Sequence, residues 1–596
     1  MKCRLYLIYL IIFIANCDNK ELEQFDADFN IETGLNTSQQ EWVENILSEL
    51  SIREMTGQVI MDWFGGSYTP VESEAFDKEA NLIESGLGGV WFMGGGPIER
   101  AAKANALQKH AKVPLLVSGF ESFGKKFLQV AELRYWARGG GTDLPPALAY
   151  GAINDSRIVK ESARINGIEL RAIGDHIGNP EAAVLLNMEN VLHNRCFGDD
   201  PGQVAKMVSA FIKGLHEVGI LAITGFYPGA GNIEKDPHID LPIAHDDRTT
   251  YDSIHFIPLI AAIEAGTDLM MSTHNTAPGL TGLDTLPATM SPEVFRILRE
   301  DLGYNGVVMT DAMAMGAITN NYEFTEAAIL AFKAGHDIIL GPSPIKFADT
   351  LAFLVEKGEI PLNQLKTSVR RILELKAKLN LHKECMVNLD EINTIVGHRD
   401  HQRIADSAAS LSIVLLRDQN QLVPVDVSRK TKVLSISYDR ENTFSEIISR
   451  GIEFNRMLRG YVNSVDAVSI SPSSDPFIYQ MLKQKSENVD QVILSIYLRP
   501  ELGTRVQDEI SEPLVQFIES LQLAGREVIV ISFGELEILS YLPDLETLMM
   551  AWSGQDVMQR AAAKAMLGIT PISGHLPINL LPFHKRGEGL LRASTR

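Results

Sequence analysis

The sequence predicts an α/β protein with a (β/α)8 TIM-type barrel, followed by a smaller α/β sandwich domain with a mostly parallel sheet. Three observations support this fold class. Short apolar runs alternate with stretches of helical periodicity along most of the 596 residues, which is typical of βα units. Eight such runs precede residue 342, and eight βα units close a barrel. Most runs are apolar at successive positions, as in parallel strands that are buried on both faces.

The eight predicted strands are short, and most are rich in β-branched residues or followed by glycine. A doubly wound open sheet has the same local pattern, and the count of eight favours the barrel. The predicted strands are Gln58–Trp63, Gly89–Phe92, Pro114–Ser118, Ala183–Asn187, Ile220–Thr224, Asp268–Ser272, Val307–Thr310 and Asp337–Leu340. The clearest helical periodicity lies in Gln203–Val218, Ser253–Ala265, Pro292–Leu302 and Glu323–Ala334.

A second α/β region follows a polar connector. We place the barrel domain at 41–381, the connector at 382–405 and the second domain at 406–586. We expect the remaining tail, 587–596, to fray. The predicted strands of the second domain are Ser412–Leu416, Lys432–Ser437, Ala467–Ile470, Gln491–Leu498, Val528–Phe533 and Leu548–Trp552.

The N-terminus has the pattern of an export signal. Two basic residues precede the apolar stretch Leu5–Ala15, which is too short to cross a bilayer as a helix. Cys17 follows, so residues 1–17 resemble a bacterial lipoprotein signal, and an acidic, polar tether covers 18–40. We therefore expect an exported lipoprotein of the cell envelope with a lipid anchor on Cys17. An ordinary cleaved signal and an uncleaved anchor are the alternatives.

The composition argues against several classes of partner. The formal net charge is −22, which disfavours nucleic acid and anionic membrane surfaces as partners held by bulk electrostatics. Four cysteines in a chain of this length do not form a disulfide framework. The sequence contains no ligand set with zinc-like spacing, so we expect no metal. The oligomeric state does not follow from the sequence.

Asp311 ends the apolar run that begins at Gly306. A buried strand that ends in a lone carboxylate delivers that group to the mouth of a barrel, where barrel enzymes place their catalytic residues. The alternative is a carboxylate that caps the next helix. As a nucleophile, Asp311 would attack an anomeric carbon and form a glycosyl–enzyme ester.

Asp236-Pro237-His238 lies in a loop rich in glycine and proline. Pro237 disfavours helix, and in an extended segment the side chains at positions 236 and 238 point the same way. Asp236 would then hold one ring nitrogen of His238 and leave the other for proton transfer. A solvated polar loop is the alternative for this short pattern.

Several motifs together resemble glycoside hydrolase family 3, in particular its β-N-acetylglucosaminidase branch. They are the loop 222–238, Ser272-Thr273-His274, Leu286–Ser291, the Asp311 segment, and Asn194–Pro201, which resembles the family's Arg-Ser-Phe-Gly segment. The resemblance covers about residues 45–380 and extends through the second domain, where Ser573–Pro577 resembles a recurring segment.

The resemblance implies a mechanism and a set of site residues. Asp311 corresponds to the nucleophile, His238 to the acid/base and Asp236 to its orienting partner, while Arg195 and His274 are candidate sugar-site residues. It implies an exo-acting retaining β-glycosidase that needs no metal and no cofactor. The implied substrates are terminal β-N-acetylglucosaminides of cell-wall fragments or glycans.

The sequence departs from the family where sugar hydroxyls are expected to bind. The family's Lys-His is absent, and Gly225-Phe226-Tyr227-Pro228 stands in its place, one residue short. Ala230 replaces a second loop histidine. Phe120 replaces a sugar-binding aspartate, and Asn187 replaces an aspartate of another strand-end motif. Phe120 and Phe226 offer aromatic faces for a sugar ring.

Two alternative functions follow from these departures. One is a glycosidase of the same fold with a different sugar specificity, and the other is a catalytically inactive saccharide-binding lipoprotein of the envelope. In some relatives the second domain supplies the acid/base, which makes Glu501 and Asp556 weaker candidates for that role.

Overall fold

The computed structural model of the chain describes residues 34–119, 141–180, 182–188, 190, 192–427, 431–439, 451–498 and 510–595. Cys17, Phe120 and Glu501 lie outside the described residues, so the predictions that concern them remain predictions.

Eight parallel strands close the predicted (β/α)8 barrel. Strands β3, β2, β1 and β8 form one run of neighbours, and β4, β5, β6 and β7 form the other. His176 N donates to Val117 O at 2.8 Å and joins β3 to β4. A parallel bridge between Met309 and Ile338 joins β7 to β8. The strands are β1 Ile60–Gly65, β2 Gly89–Met93, β3 Leu116–Gly119, β4 Ile177–Gly178, β5 Leu221–Tyr227, β6 Leu269–Ser272, β7 Val307–Met309 and β8 Ile339–Leu340.

Seven of the eight predicted barrel strands are confirmed, and the prediction for the fourth is wrong. Ala183–Asn187 was expected to be this strand, but the barrel position is filled by Ile177–Gly178, which pairs with β5. The segment 182–187 is extended and lies above the barrel, where Leu186 N donates to Gly231 O at 3.0 Å. The segment is apolar because it is buried under the loop that contains Gly231, whereas a barrel strand is apolar because helices cover it.

The helices of the barrel domain lie outside the sheet. The predicted helices at 253–265 and 292–302 exist, and each contains a π-helical part. The α-helices are Thr37–Glu49, Ile52–Gln58, Glu74–Glu84, Pro97–Gln108, Ala147–Ile153, Ser156–Ala172, Pro201–His216, Arg248–Thr250, Phe256–Glu264, Pro278–Thr281, Pro292–Arg296, Gly316–Thr319, Phe324–Ala334, Pro344–Glu356 and Leu362–Lys378, the π-helices are Tyr251–His255 and Ile297–Asp301, and the 3-10 helices are His193–Arg195 and Ala288–Met290. Among the described residues, no helix is both long enough and apolar enough to cross a bilayer.

The second domain contains a six-stranded sheet in the order β11-β10-β12-β13-β14-β9. The β14–β9 pair is antiparallel and the other pairs are parallel, which confirms the predicted mostly parallel sheet. The strands are β9 Val414–Asp418, β10 Lys432–Tyr438, β11 Ser464–Ile470, β12 Gln491–Ile496, β13 Glu527–Ser532 and β14 Thr547–Met550, and the helices are Arg399–Ser412, Ile452–Tyr461, Phe477–Ser486, Glu512–Leu523, Ile538–Tyr541 and Asp556–Met566. The short helix Ile392–Ile395 lies in the connector, and Ile392 packs against Ala101 and Ile173 of the barrel domain.

The C-terminal tail packs onto the second domain. Arg592 pairs with the buried Asp418 at 2.9 Å, and Leu590 N donates to Leu415 O at 2.8 Å. The expectation that this tail frays is therefore wrong for residues 587–595, because buried partners satisfy its backbone and its arginine. The domain boundaries stay a prediction, and the helix Arg399–Ser412 runs across the one we placed at 405.

Candidate active site

Asp311 lies at the C-terminal mouth of the barrel, two residues beyond β7. Its backbone N donates to Ser272 O at the end of β6, at 3.2 Å, and this bond extends the sheet beyond the last strand pair. Its carboxylate Oδ1 accepts from Ala312 N at 2.7 Å. Asp311 stays partly exposed, so its carboxylate is fixed by the backbone and still accessible from the mouth.

Asp236 and His238 form the pair that the sequence predicts. Asp236 Oδ1 lies 2.6 Å from His238 Nδ1 and also accepts from His238 N at 2.8 Å. The carboxylate is buried, whereas the imidazole is about one-third exposed. A buried carboxylate at Nδ1 fixes the orientation of the ring and leaves Nε2 available for proton transfer.

The loop that carries His238 packs against the residues that follow Asp311. Gly316 N donates to His238 O at 3.1 Å, and Ala317 N donates to Pro237 O at 2.9 Å. A Cβ at position 316 would lie 2.5 Å from Ile239 O, so the close approach of the two segments requires glycine there. These contacts connect the acid/base candidate to the nucleophile candidate.

The electrostatic environment of His238 favours its protonated form. Burial alone would lower its pKa, but the hydrogen bond and charge of Asp236 and the charge of Asp311 outweigh burial and raise the pKa above the ordinary value. The positive charge of Arg195 opposes this rise. The pKa of His238 therefore responds to the charges of Asp236, Asp311 and Arg195.

Arg195 and Phe226 lie against each other. The Arg195 guanidinium carbon is 5.6 Å from the centroid of the Phe226 ring, a cation–π distance. Phe226 is 7% exposed, so this ring is largely covered. The Phe226 ring, near the C-terminal end of β5, therefore packs against the Arg195 guanidinium.

His274 lies beneath the site rather than at its surface. Burial lowers its pKa, so the ring is neutral despite the nearby charge of Asp311. Nε2 donates to Ala312 O at 3.0 Å, and Nδ1 lies 2.8 Å from the Thr289 hydroxyl. Both ring nitrogens are therefore used within the protein. A sugar-contacting role for His274 stays a prediction, and its geometry is that of a residue that holds the backbone next to Asp311.

Asn187 is not at the end of a barrel strand. Its Nδ2 lies 3.5 Å from Ile233 O, in the loop between β5 and His238. The neighbouring Asn190 donates to Ala230 O at 2.7 Å and to Ile233 O at 3.1 Å. The two asparagines hold this loop, and a sugar contact by Asn187 stays a prediction.

Trp63 and Trp91 are aromatic residues that the sequence reasoning did not single out. They are register partners on β1 and β2, with ring centroids 5.9 Å apart. The next residue on β2, Phe92, contacts Arg100 of an outer helix. Because successive side chains of a strand face opposite sides, the two tryptophans face the barrel interior. Both tryptophans lie at or next to the carboxyl end of a predicted strand, and this is the sequence feature that could have indicated a place at the barrel mouth.

The arrangement can act on an acetal. A carboxylate at the barrel mouth can attack the anomeric carbon, and an imidazole held by a second carboxylate can protonate the leaving oxygen. The fold and this site define a glycoside hydrolase. The chain belongs to glycoside hydrolase family 3, because the model of the Glycosyl hydrolase family 3 N terminal domain matches residues 53–375, more than half of its length.

Three similar proteins extend this assignment. A beta-N-acetylglucosaminidase/beta-glucosidase from Cellulomonas fimi is 24% identical over 567 residues, which are 90% of this chain and 95% of that protein. Beta-hexosaminidase A from Pseudoalteromonas piscicida is 27% identical over 372 residues, 58% of this chain and 60% of that protein. The structure of a glycoside hydrolase family 3 beta-N-acetylglucosaminidase from Paenibacillus sp. str. FPU-7 has a TM-score of 0.78 and 27% identity, and the alignment covers 89% of this chain and 99% of that one.

Proposed function

We propose that this protein is an exo-acting retaining β-glycosidase that hydrolyses terminal β-N-acetylglucosaminides. In the first step, Asp311 attacks the anomeric carbon while protonated His238 donates its proton to the departing oxygen, which forms a glycosyl–enzyme ester. In the second step, neutral His238 takes a proton from water, and this water displaces Asp311 from the anomeric carbon.

The observation that carries the proposal is the 2.6 Å contact between Asp236 and His238, in a loop that packs against the Asp311 segment. An acid/base must be protonated when the leaving group departs and neutral when water attacks. A histidine whose pKa is raised from its ordinary value can do both near neutral pH.

The substrate class rests on the relatives. The Cellulomonas, Pseudoalteromonas and Paenibacillus proteins carry names of β-N-acetylglucosaminidases or β-hexosaminidases. We infer that cell-wall fragments or glycans supply the terminal sugar. The packing of Arg195 on Phe226 favours a second candidate, a glycosidase of different sugar specificity, because the family's Lys-His is absent there.

A panel of aryl β-glycosides tests the reaction and the sugar together. We expect the full chain to release the aryl group from the N-acetylglucosaminide, and Asp311→Asn and His238→Gln to lose nearly all of this turnover. Release from a glucoside or another glycoside instead would support the second candidate. No release from any member of the panel, or equal turnover by Asp311→Asn, would contradict both candidates and favour a saccharide-binding protein.

We further propose that the protein is an exported lipoprotein anchored through Cys17, with a role in turnover of cell-wall glycans. The support is the sequence pattern of residues 1–17 alone. Expression in a bacterial host with a labelled fatty acid tests the anchor. We expect label and membrane association in the parent and loss of both in Cys17→Ala. An unlabelled, membrane-free parent would contradict the anchor without affecting the proposed reaction.

A further inference from the structure

The second domain binds the segment 194–200, which carries Arg195. Asp199 Oδ2 accepts two hydrogen bonds from Asn579, one from its backbone N at 2.7 Å and one from Nδ2 at 2.6 Å. Arg586 donates to Asp199 Oδ1 at 2.5 Å, and its other terminal nitrogen lies 3.0 Å from Asp200 Oδ2. The Asp199 side chain is only 9% exposed, so water competes poorly for these bonds.

The backbones of the two domains also meet along this segment. Asp199 N donates to Pro577 O at 3.4 Å. Gly198 has φ of 146°, and a Cβ there would lie 2.6 Å from Pro577 O, so glycine is required for the approach. These contacts hold the C-terminal half of the segment against the second domain.

A third contact lies next to Arg195 itself. Asn194 Nδ2 is 3.5 Å from the carbonyl oxygen of Trp552. Trp552 is buried, with a left-handed φ of 59°, and its indole N–H donates to Ser412 O at 2.7 Å. The indole bond fixes the residue whose carbonyl faces Asn194.

The opposite side of the segment faces the candidate site. The guanidinium of Arg195 lies over Phe226, and its charge acts on His238. Arg195 is on a single 3-10 turn, His193–Arg195, which has little internal rigidity. The turn therefore depends on its neighbours for its position, and those neighbours include the second domain.

We propose that the second domain positions Arg195 for sugar binding, with Asp199, Asn579 and Arg586 as positioning residues that clamp its segment. The inference rests on the proposed role of Arg195 at the sugar. Since Asp199 is four residues from Arg195, a loosened clamp shifts the guanidinium and leaves Asp311, Asp236 and His238 in place.

The test compares Arg586→Gln with Arg592→Gln in the full chain. Both arginines come from the C-terminal segment and pair with buried carboxylates, but Arg586 reaches across to the barrel domain while Arg592 pairs within the second domain. We expect Arg586→Gln to raise KM for the aryl glycoside by roughly three- to tenfold, the effect of one or two weakened hydrogen bonds. Arg586→Lys should recover part of the loss, and Arg592→Gln should leave KM unchanged.

A double-mutant cycle separates positioning from general destabilisation. In the Arg195→Gln background, Arg586→Gln should have little further effect on KM, because the group that it positions is gone. Independent, multiplicative effects would overturn the proposal, as would equal effects of Arg586→Gln and Arg592→Gln.

A readout without turnover keeps the clamp testable if the proposed reaction fails. Titration of His238 by NMR, with His238→Gln to assign its signal, should give a higher pKa in both Arg195→Gln and Arg586→Gln, because both move positive charge away from the ring. An unchanged pKa in Arg586→Gln alongside a raised one in Arg195→Gln would overturn the clamp even in an inactive protein.

Discussion

At the scale of single residues, Asp236 determines both the orientation and the ionisation of His238. Its carboxylate accepts from the backbone and from the ring of the same histidine, so the ring has one favoured orientation. Burial and Arg195 oppose protonation of the ring, and Asp236 and Asp311 favour it. The net shift in the pKa of His238 depends on Asp236, because Asp236 is the group in hydrogen-bond contact with the imidazole.

We predict that Asp236→Asn lowers kcat by about 100-fold and moves the alkaline limb of the pH profile to lower pH. In the parent, the raised pKa keeps His238 protonated above the ordinary histidine range, so the acid form persists as pH rises. An amide removes the charge, burial then dominates, and the proton is lost at lower pH. The dependence of kcat/KM on pH measures this shift. A limb that stays in place would mean that a different group is the acid.

We predict that His274→Leu lowers kcat more than it changes KM and destabilises the barrel domain by about 1–3 kcal/mol. The substitution leaves the Ala312 carbonyl without its buried donor and removes one of the partners of the Thr289 hydroxyl, which keeps its bond to Thr273 O. An unpaired buried polar group costs free energy of this size. Steady-state kinetics and thermal unfolding measure the two effects. A large rise in KM without loss of stability would instead support the direct sugar contact that the sequence suggested.

The candidate site could be predicted from sequence where its signals are local. Asp311 follows its strand directly, so its place at a strand end identifies it. Asp236 and His238 are two residues apart in an extended segment, so their side chains point the same way, and this spacing identifies the pair. The position of His274 depends on Thr289 and on Ala312, which are 15 and 38 residues away. No local pattern reports such contacts, and the same holds for the packing of Arg195 on Phe226.

At the scale of elements, the fourth strand shows how an apolar run misleads. Residues 182–187 are as apolar as a barrel strand, but only Ala182 still bonds to β5, at Gly225 O. Beyond it, Leu185 N donates to Gly198 O and Leu186 N donates to Gly231 O, outside the barrel sheet. The segment thus joins the loop of His238 to the segment of Arg195. Burial by loops and burial by helices select the same residue types, so the sequence did not distinguish them.

We predict that Gly316→Ala lowers kcat at least about tenfold and leaves the fold intact. The added Cβ would lie 2.5 Å from Ile239 O, so the loop of His238 must move away from Asp311. Displacements of about 1 Å at a catalytic group have effects of this order. Gly460→Ala is the matched control, because a Cβ there meets nothing within 4 Å. Unchanged kcat in Gly316→Ala would show that the contact does not position His238.

At the scale of the whole molecule, the sequence predicts both domains and their strands but not how the domains meet. Strand positions follow from apolar runs and glycines, which report burial and turns. The bonds of Asp199 to Asn579 and Arg586 join residues about 380 positions apart, and charged residues of this kind also occur on solvated surfaces. Expected fraying of the tail was wrong for the same reason, since the partner of Arg592 is 174 residues away.

The helix that closes the barrel domain contains a buried lysine. Lys376 is fully buried in the helix Leu362–Lys378, and its Nζ donates to Gln58 Oε1 at 2.7 Å. Gln58 ends the helix before β1, so this contact joins the last helix of the domain to the N-terminal end of the first strand. Burial lowers the pKa of Lys376 from 10.5 to about 7.

We predict that this lysine makes the stability of the barrel rise with pH between about 7 and 10. In that window the unfolded lysine keeps its proton, whereas the folded one has lost it. The unfolded state therefore binds more protons, and the free energy of unfolding increases with pH. The pKa difference corresponds to at most about 5 kcal/mol.

Thermal and denaturant unfolding of the parent and of Lys376→Met, from pH 6 to 10, measure this contribution to stability. We expect Lys376→Met to have a higher free energy of unfolding than the parent at pH 6. This advantage should disappear by pH 10, where the substitution removes only a neutral hydrogen-bond partner of Gln58. A difference between the two proteins that is constant across this range would show that Lys376 keeps its charge in the folded barrel.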